Sequence, residues 1–174
     1  MPEQVKAGER VLRGIPVSPG VCRGRLLVLG RREEGPPLRK EIPPSDVPRE
    51  IERLEQALVA TRRQILGVQR QVSEGLGASE ASIFDAHLLL LEDPVVIDEV
   101  TRLIEKEHVA ADYAFQVAAD KFSRALSAID DEYLRERATD MRDVAGRVLN
   151  NLRGEADHVD LARIEEPCIV VSHD

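Results

Sequence analysis

Six acids and no Lys or Arg fall within residues 78–99: Glu80, Asp85, Glu92, Asp93, Asp98 and Glu99. A stretch of one sign produces a field that can steer a basic partner. Part of the pattern is also what helix ends ask for. Asp93 before Pro94 has the form of an N-cap followed by a first-turn proline, and Asp98 and Glu99 belong to the front half of the helix that follows. Helix electrostatics and partner recognition both stay open on these residues alone. The run Leu88-Leu89-Leu90-Leu91 lies in the same stretch and is wider than one buried stripe. Two of its members point away from any single partner helix, so they are either enclosed on several sides or form the apolar centre of an interface.

Further along, Arg135, Arg137, Arg142 and Arg147 alternate with Glu132, Glu136, Asp140 and Asp143. Asp143 and Arg147 support each other at i,i+4, whereas Glu132 and Glu136 repel; by itself this is a salt-laced solvated face. Arg137 and Arg142 are five residues apart, about 140° around a helix, and form no tight clamp unaided. The histidines are His87, His108, His158 and His173. None belongs to HExxH or a zinc-type Cys/His spacing, and there is no glycine-rich phosphate loop and no GxSxG. His87, among leucines, reads as a core histidine. His173 follows a strand-like run without a supporting constellation. Cys22 and Cys168 sit in apolar, strand-like contexts, where free cysteine behaves as a small buried hydrophobe. These residues describe a binding domain without a complete active site.

Helices must position them. Ile51, Leu54, Leu58, Thr61, Ile65, Val68 and Val72 recur at intervals of three and four, which places them on one face of a long helix starting near Ser45 or Val47 and stopping at Gly75 and Gly77. Ser79 is expected to cap a second helix running through SEASIFDAHLLLLED, and Asp93-Pro94 a third carrying Val96, Ile97, Val100, Leu103 and Ile104. A fourth begins near Ala110 with Ala111, Phe115, Ala118, Phe122, Leu126 and Ile129 inward. Asp130-Asp131 opens a fifth, with Leu134, Met141, Val144 or Ala145, Val148 and Leu152 inward, closed by Gly154. Outside this block, residues 10–29 read as strand, turn, strand, residues 31–44 as a proline-rich surface crossing, and CIVVS at 168–172 as a strand. The natural partner of that last strand is the N-terminal pair, which makes the helical block an insertion.

Composition agrees. The 174 residues are 43% hydrophobic, 32% charged and only 3% aromatic, a palette of Leu, Val, Ile and Ala that suits packed helices. Net charge is −8, distributed as +5 over residues 1–40 and −13 over the rest, which argues against general nucleic-acid binding. No apolar run approaches the roughly 20 residues that span a bilayer, and MPEQVKAGERV is too polar for a signal peptide. A cytoplasmic protein, with no membrane and no nucleic-acid partner, is the expectation.

Three segments together resemble the N-terminal part of enzyme I of the bacterial phosphoenolpyruvate-dependent sugar phosphotransferase system: GIPVSPGVCRGRLLVL at 14–29, SEASIFDAHLLLLEDPVV at 79–96 and DDEYLRERATDMRDVAGRVLNNLRG at 130–154. With matching spacing between them, the resemblance covers almost all of residues 10–174. It implies a mainly α fold, an antiparallel helical hairpin or bundle domain inserted into an incomplete α/β swivelling domain. Residues 1–30 would supply N-terminal strands, 31–44 a linker, 45–153 the helical phosphocarrier-binding domain, and 154–174 the return. It also implies docking of the small histidine-containing phosphocarrier protein (HPr), with Glu80, Leu89, Leu90, Val96, Phe122, Leu126, Arg137 and Arg142 at or near that surface. Arg137 and Arg142 match family arginines that look like phosphate-region or carrier contacts. Where the family can carry acids before the IF pair and after LLED, this chain has Ala78-Ser79 and Pro94-Val95, so its acidic complement is reduced or moved.

In that family the whole protein passes phosphate from phosphoenolpyruvate through its own histidine to the carrier, with Mg²⁺ in a C-terminal barrel that also mediates homodimerisation. The phosphohistidine motif, of GGRTSH type, is absent here and is expected beyond Asp174. No catalytic, cofactor or metal residue is therefore expected within these residues, and no autophosphorylation. The alternatives are a non-catalytic self-association or regulatory module built on the 48–74 arm, and the equivalent region of another phosphoenolpyruvate-using enzyme. The sugar branch and a nitrogen-regulatory paralogue share this region.

Overall fold

Pro48 stands in the first turn of helix α1 (Val47–Gly75), where a proline sacrifices no hydrogen bond and its φ is already helical. The computed structural model describes residues 15, 17–29, 36–154 and 166–172. Along α1 the expected stripe faces inward: Leu54, Thr61 and Ile65 are buried, and Ile51, Leu58, Val68 and Val72 are half-buried. Glu50 and Ala57 extend it, although a charge and a small residue carry no apolar signal.

The expected second helix is in fact two, α2 (Ala78–Ala81) and α3 (Ile83–Leu91). Ser79 is not its cap; Gly77, at φ +122°, occupies that position and Ser79 lies inside α2. The break at Ser82 has a local cause. The Ser82 hydroxyl donates to the Ser79 carbonyl at 2.7 Å, and the Ser82 and Asp85 amides reach back three residues rather than four, tightening the turn.

Asp93 opens α4 (Pro94–Glu107) as expected, its carboxylate accepting the Val95 amide at 2.8 Å. Val96, Val100, Leu103 and Ile104 are buried and Ile97 half-buried. Helix α5 (Ala111–Ser127) turns Ala111, Ala114, Phe115, Ala118, Ala119 and Ser123 inward. Phe122 and Leu126 are only half-buried, and Ile129, beyond the helix end, is exposed rather than inward. Small residues win this face because α6 (Glu132–Arg153) approaches closely: the Ser123 hydroxyl donates to the Ala138 carbonyl at 3.2 Å. Asp131 caps α6 through the Leu134 amide, and Gly154, at φ +71°, ends it. Its stripe is the expected one, with Ala138 and Leu149 added and Leu134 half-buried.

Residues 36–43 do not simply cross the surface. The Ile42 amide donates to the His108 carbonyl at 2.8 Å, the Ala110 amide donates to the Lys40 carbonyl at 2.9 Å, and the Ile42 side chain joins the core. His108 adopts a left-handed φ of +49° at the end of α4, which turns its carbonyl toward this strand-like pairing.

Strands β1 (Arg25–Leu29) and β2 (Cys168–Ser172) pair in parallel, Arg25 opposite Cys168 and Leu29 opposite Ser172. The helices are thus inserted between two strands of one sheet. The chain divides accordingly into two units, Met1–Arg31 with Asp160–Asp174, and Arg32–Val159. In the first, residues 21–24 are not strand, as had been expected of 10–29; the strand begins at Arg25. Residues 10–14 and 16 of that expected hairpin, His158 and His173 lie outside the described residues, and residues 15 and 17–20 are not strand. Among the described residues no helix is long and apolar enough to cross a membrane.

One buried acid ties the helical unit together. Glu50 accepts two 2.7 Å hydrogen bonds from Arg53 and a 2.8 Å bond from the Ala111 amide, the first of α5. Arg53 then donates to the Leu152 carbonyl in the last turn of α6 at 2.9 Å. Burial pushes the Glu50 carboxyl up. The bonds from Arg53 and Ala111, with the charges of Arg53 and Lys40, more than offset this and hold it below its ordinary value of 4.5. Glu50→Ala would strand the Ala111 amide and leave Arg53 unpaired, so a loss of about 2–3 kcal/mol is expected in urea denaturation at neutral pH. Because the folded pKa is depressed, the carboxylate's contribution is complete above pH 4.5 and is lost as pH falls through the folded value. Glu50→Gln should accordingly flatten the acid limb of the stability curve.

Candidate functional site

Helix α3 decides which of the four leucines meets solvent. Leu91 is buried, Leu88 and Leu90 are half-buried against the core, and Leu89 is 70% exposed. At 100° per residue, Leu89, Ala86, Leu90 and Ile83 follow one another around about 120° of the helix. Ile83 is 57% exposed, so this arc is an apolar strip open to solvent. Exposed Val95 adds an apolar side chain in the first turn of α4. Ile83 was not among the expected contacts, although its seven-residue spacing from Leu90 places both on one flank.

The inner edge of the arc meets α6. His87, 8% exposed, packs edge-on against Phe84, with ring centroids 5.7 Å apart. Its Nε2 lies 3.5 Å from Asp140 Oδ1. The other Asp140 oxygen lies 3.9 Å from Arg137 Nη1, and both α6 side chains are about three-quarters covered. Arg142, more exposed, donates its Nε–H to Ser123 Oγ at 3.3 Å on α5, next to Phe122. Helix α6 therefore brings Asp140, with Arg137 one turn before it, to α3 and Arg142 to α5. Phe122 and Leu126, four apart, share a half-buried flank of α5. Glu80 is exposed on α2. Val96 is not on a surface: its side chain is 2% exposed in the core, so its role is packing.

The acidic stretch is less one-signed in three dimensions. Arg62 of α1 reaches Glu92 at 2.6 Å. Glu99 accepts from Arg102 and from Lys121 of α5, each at 2.8 Å, and these hydrogen bonds hold its carboxyl down to about 2. Asp85 accepts from Gln69 at 2.7 Å and Asp93 is spent on its cap. Glu80 and Asp98 enter no ion pair among the described residues. Ser123, which meets Arg142, gives no signal in the sequence, and Asp140, which faces Arg137, reads there only as one acid of a salt-laced solvated face, although their i,i+3 spacing is visible. Among the described residues no group of three or more His, Cys, Asp or Glu could hold a metal ion.

The helices, inserted in sequence between two parallel strands, make a mainly α domain that carries an open apolar strip with acids and arginines near it. The chain belongs to the family of N-terminal domains of phosphoenolpyruvate-utilising enzymes, whose model matches residues 13–137. It is 34% identical to the phosphoenolpyruvate-protein phosphotransferase of Mycoplasma capricolum, over 94% of this chain and 28% of that protein. It is 37% identical to that of Geobacillus stearothermophilus, over 84% of this chain and 25% of that protein. The chain thus spans little more than a quarter of the length of these relatives. Its fold is similar to a solution structure of an enzyme I protein, with a TM-score of 0.71 and 35% identity over 79% of this chain and 55% of that one. It is also similar to the N-terminal domain of a nitrogen enzyme I, with a TM-score of 0.65 and 27% identity over 82% of this chain and 59% of that one.

The difference between strip and core is directly measurable. Val96→Ala should cost about 2 kcal/mol of unfolding free energy through the cavity it leaves. Leu89→Ser should stay within about 0.5 kcal/mol of the parent.

Proposed function

We propose that this chain is the phosphocarrier-docking region of a phosphoenolpyruvate-protein phosphotransferase, and that its partner is the small histidine-containing phosphocarrier protein. The open strip of Leu89, Leu90 and Ile83 carries the reading, in a chain whose relatives bear that enzyme's name, and Arg137 joins it through Asp140 and His87. Glu80, Phe122, Leu126 and Arg142 complete the proposed surface, from which buried Val96 is left out. The apolar strip supplies contact area, and acids around it favour a basic partner. Docking matters chemically because phosphoryl transfer depends on in-line alignment and on stabilising charge over the transferred group. This chain's part is to hold the carrier in place; no step is routed through Mg²⁺. Self-association through the 48–74 arm is not favoured, since the α1 stripe is already buried within the helical unit.

Titrating the phosphocarrier into this chain, by calorimetry or by NMR, should show saturable one-to-one binding. Leu89→Ser should weaken it about tenfold or more without unfolding the chain. Raising ionic strength should weaken it further, as oppositely charged rims are screened. A folded chain that binds no carrier at low salt would overturn the assignment.

A further inference from the structure

His87 is a buried polar side chain whose two nitrogens are treated differently. Its Nδ1 finds no hydrogen-bond partner among the described residues, while Nε2 faces Asp140. A buried bare acceptor is tolerated more readily than a buried unpaired N–H, so the surroundings favour the tautomer that carries its proton on Nε2, toward the carboxylate. Asp140 in turn faces Arg137 with its other oxygen. Both separations, 3.5 and 3.9 Å, exceed the roughly 2.7–2.9 Å of a closed charge-assisted hydrogen bond. The carboxylate therefore stands between an imidazole on the docking helix and a guanidinium on α6, within reach of closing on either.

We propose that His87 and Asp140 are positioning residues that set the Arg137 guanidinium at the α3–α6 edge for the incoming carrier. The inference rests on the docking reading above and deepens it. An arginine side chain loses rotamer freedom when fixed, and a carboxylate already facing it reduces the part of that loss incurred on binding. Asp140 can do this only if it is itself confined, and on the side facing α3 it lies against the buried His87 ring. The rigid ring, packed on Phe84, links the position of Arg137 to the helix that carries Leu89 and Leu90. Arg142 has a separate support, the Ser123 hydroxyl, and lies outside this chain of contacts.

The test is a set of variants in the intact chain, with the phosphocarrier as probe. Asp140→Asn should weaken carrier binding about fivefold, and Asp140→Glu should recover most of that loss. His87→Gln should cost about threefold in the parent background and almost nothing when Asp140 is already Asn, because the link between them is gone. A merely structural pair would weaken binding only as far as it lowers the unfolding midpoint, and that result overturns the proposal. A second readout needs no carrier. In the free chain, Asp140→Asn should move both the His87 ring ¹⁵N resonances and the Arg137 Nε–H resonance, with the Arg142 resonance unchanged. If the parent chain binds no carrier, the docking reading fails while this readout still decides the contact. If the carrier binds and neither coupling appears, the positioning role alone is wrong.

Discussion

A single carboxylate–guanidinium pair on α1 satisfies one backbone group at each of two helix ends, the first amide of α5 and a last-turn carbonyl of α6. Ala110, at the N-cap of α5, offers no side-chain acceptor, and Glu50 takes the Ala111 amide instead. Arg53 takes a last-turn carbonyl of α6. The signs suit the helix dipoles, with negative charge at an N-terminus and positive charge at a C-terminus. Because both side chains leave α1 within one turn, they fix where α5 begins and where α6 ends against the same point of the long helix. A second polar seam lies farther along: Asn151 donates to buried Thr61 at 2.8 Å and exchanges amide bonds with Gln64 at 2.9 and 3.2 Å. An apolar seam alone would tolerate sliding by a turn. These pairings would lose their partners if it did.

With α1, α5 and α6 in register, the site follows. Helix α6 packs on both α3 and α5, so its two arginines, nearly on opposite flanks of their own helix, are supported from different neighbours, Arg137 through Asp140 and His87 and Arg142 by Ser123. The tightened turn at Ser82 starts α3 afresh, which sets the rotation that leaves Leu89 outward and His87 inward. Charge is redistributed by the same packing. Arg62 and Lys121, distant in sequence, come to Glu92 and Glu99, so apolar contact has a larger share of the surface than the six acids of residues 78–99 suggest.

Much of this was legible residue by residue. The caps at Asp93, Asp131 and Gly154 depend on neighbours within four positions, and so could be read from local spacing. The stripes of α1, α4 and α6 follow from helical periodicity, and CIVVS from its β-branched run. The motifs at 79–96 and 130–154 pointed to the family that the matched model also assigns. Less legible were the positions where small or polar residues do the packing. Glu50, Ala57, Ser123 and Ala138 give no hydrophobic signal, yet close approach or a distant partner buries them.

Sequence by itself determined the helical block with the ends of α1, α4 and α6, the strand at 168–172 and the family, because each depends on short-range pattern or on contiguous motif. Tertiary structure alone decided that β1 pairs in parallel with a strand some 140 residues later, that Glu50 caps a helix 61 residues away, and that Val96 is core while Leu89 is surface. The physical reason is the same in each case. A side chain's chemistry is written in its type, but its solvent, its partner and its net charge are set by whichever elements pack against it.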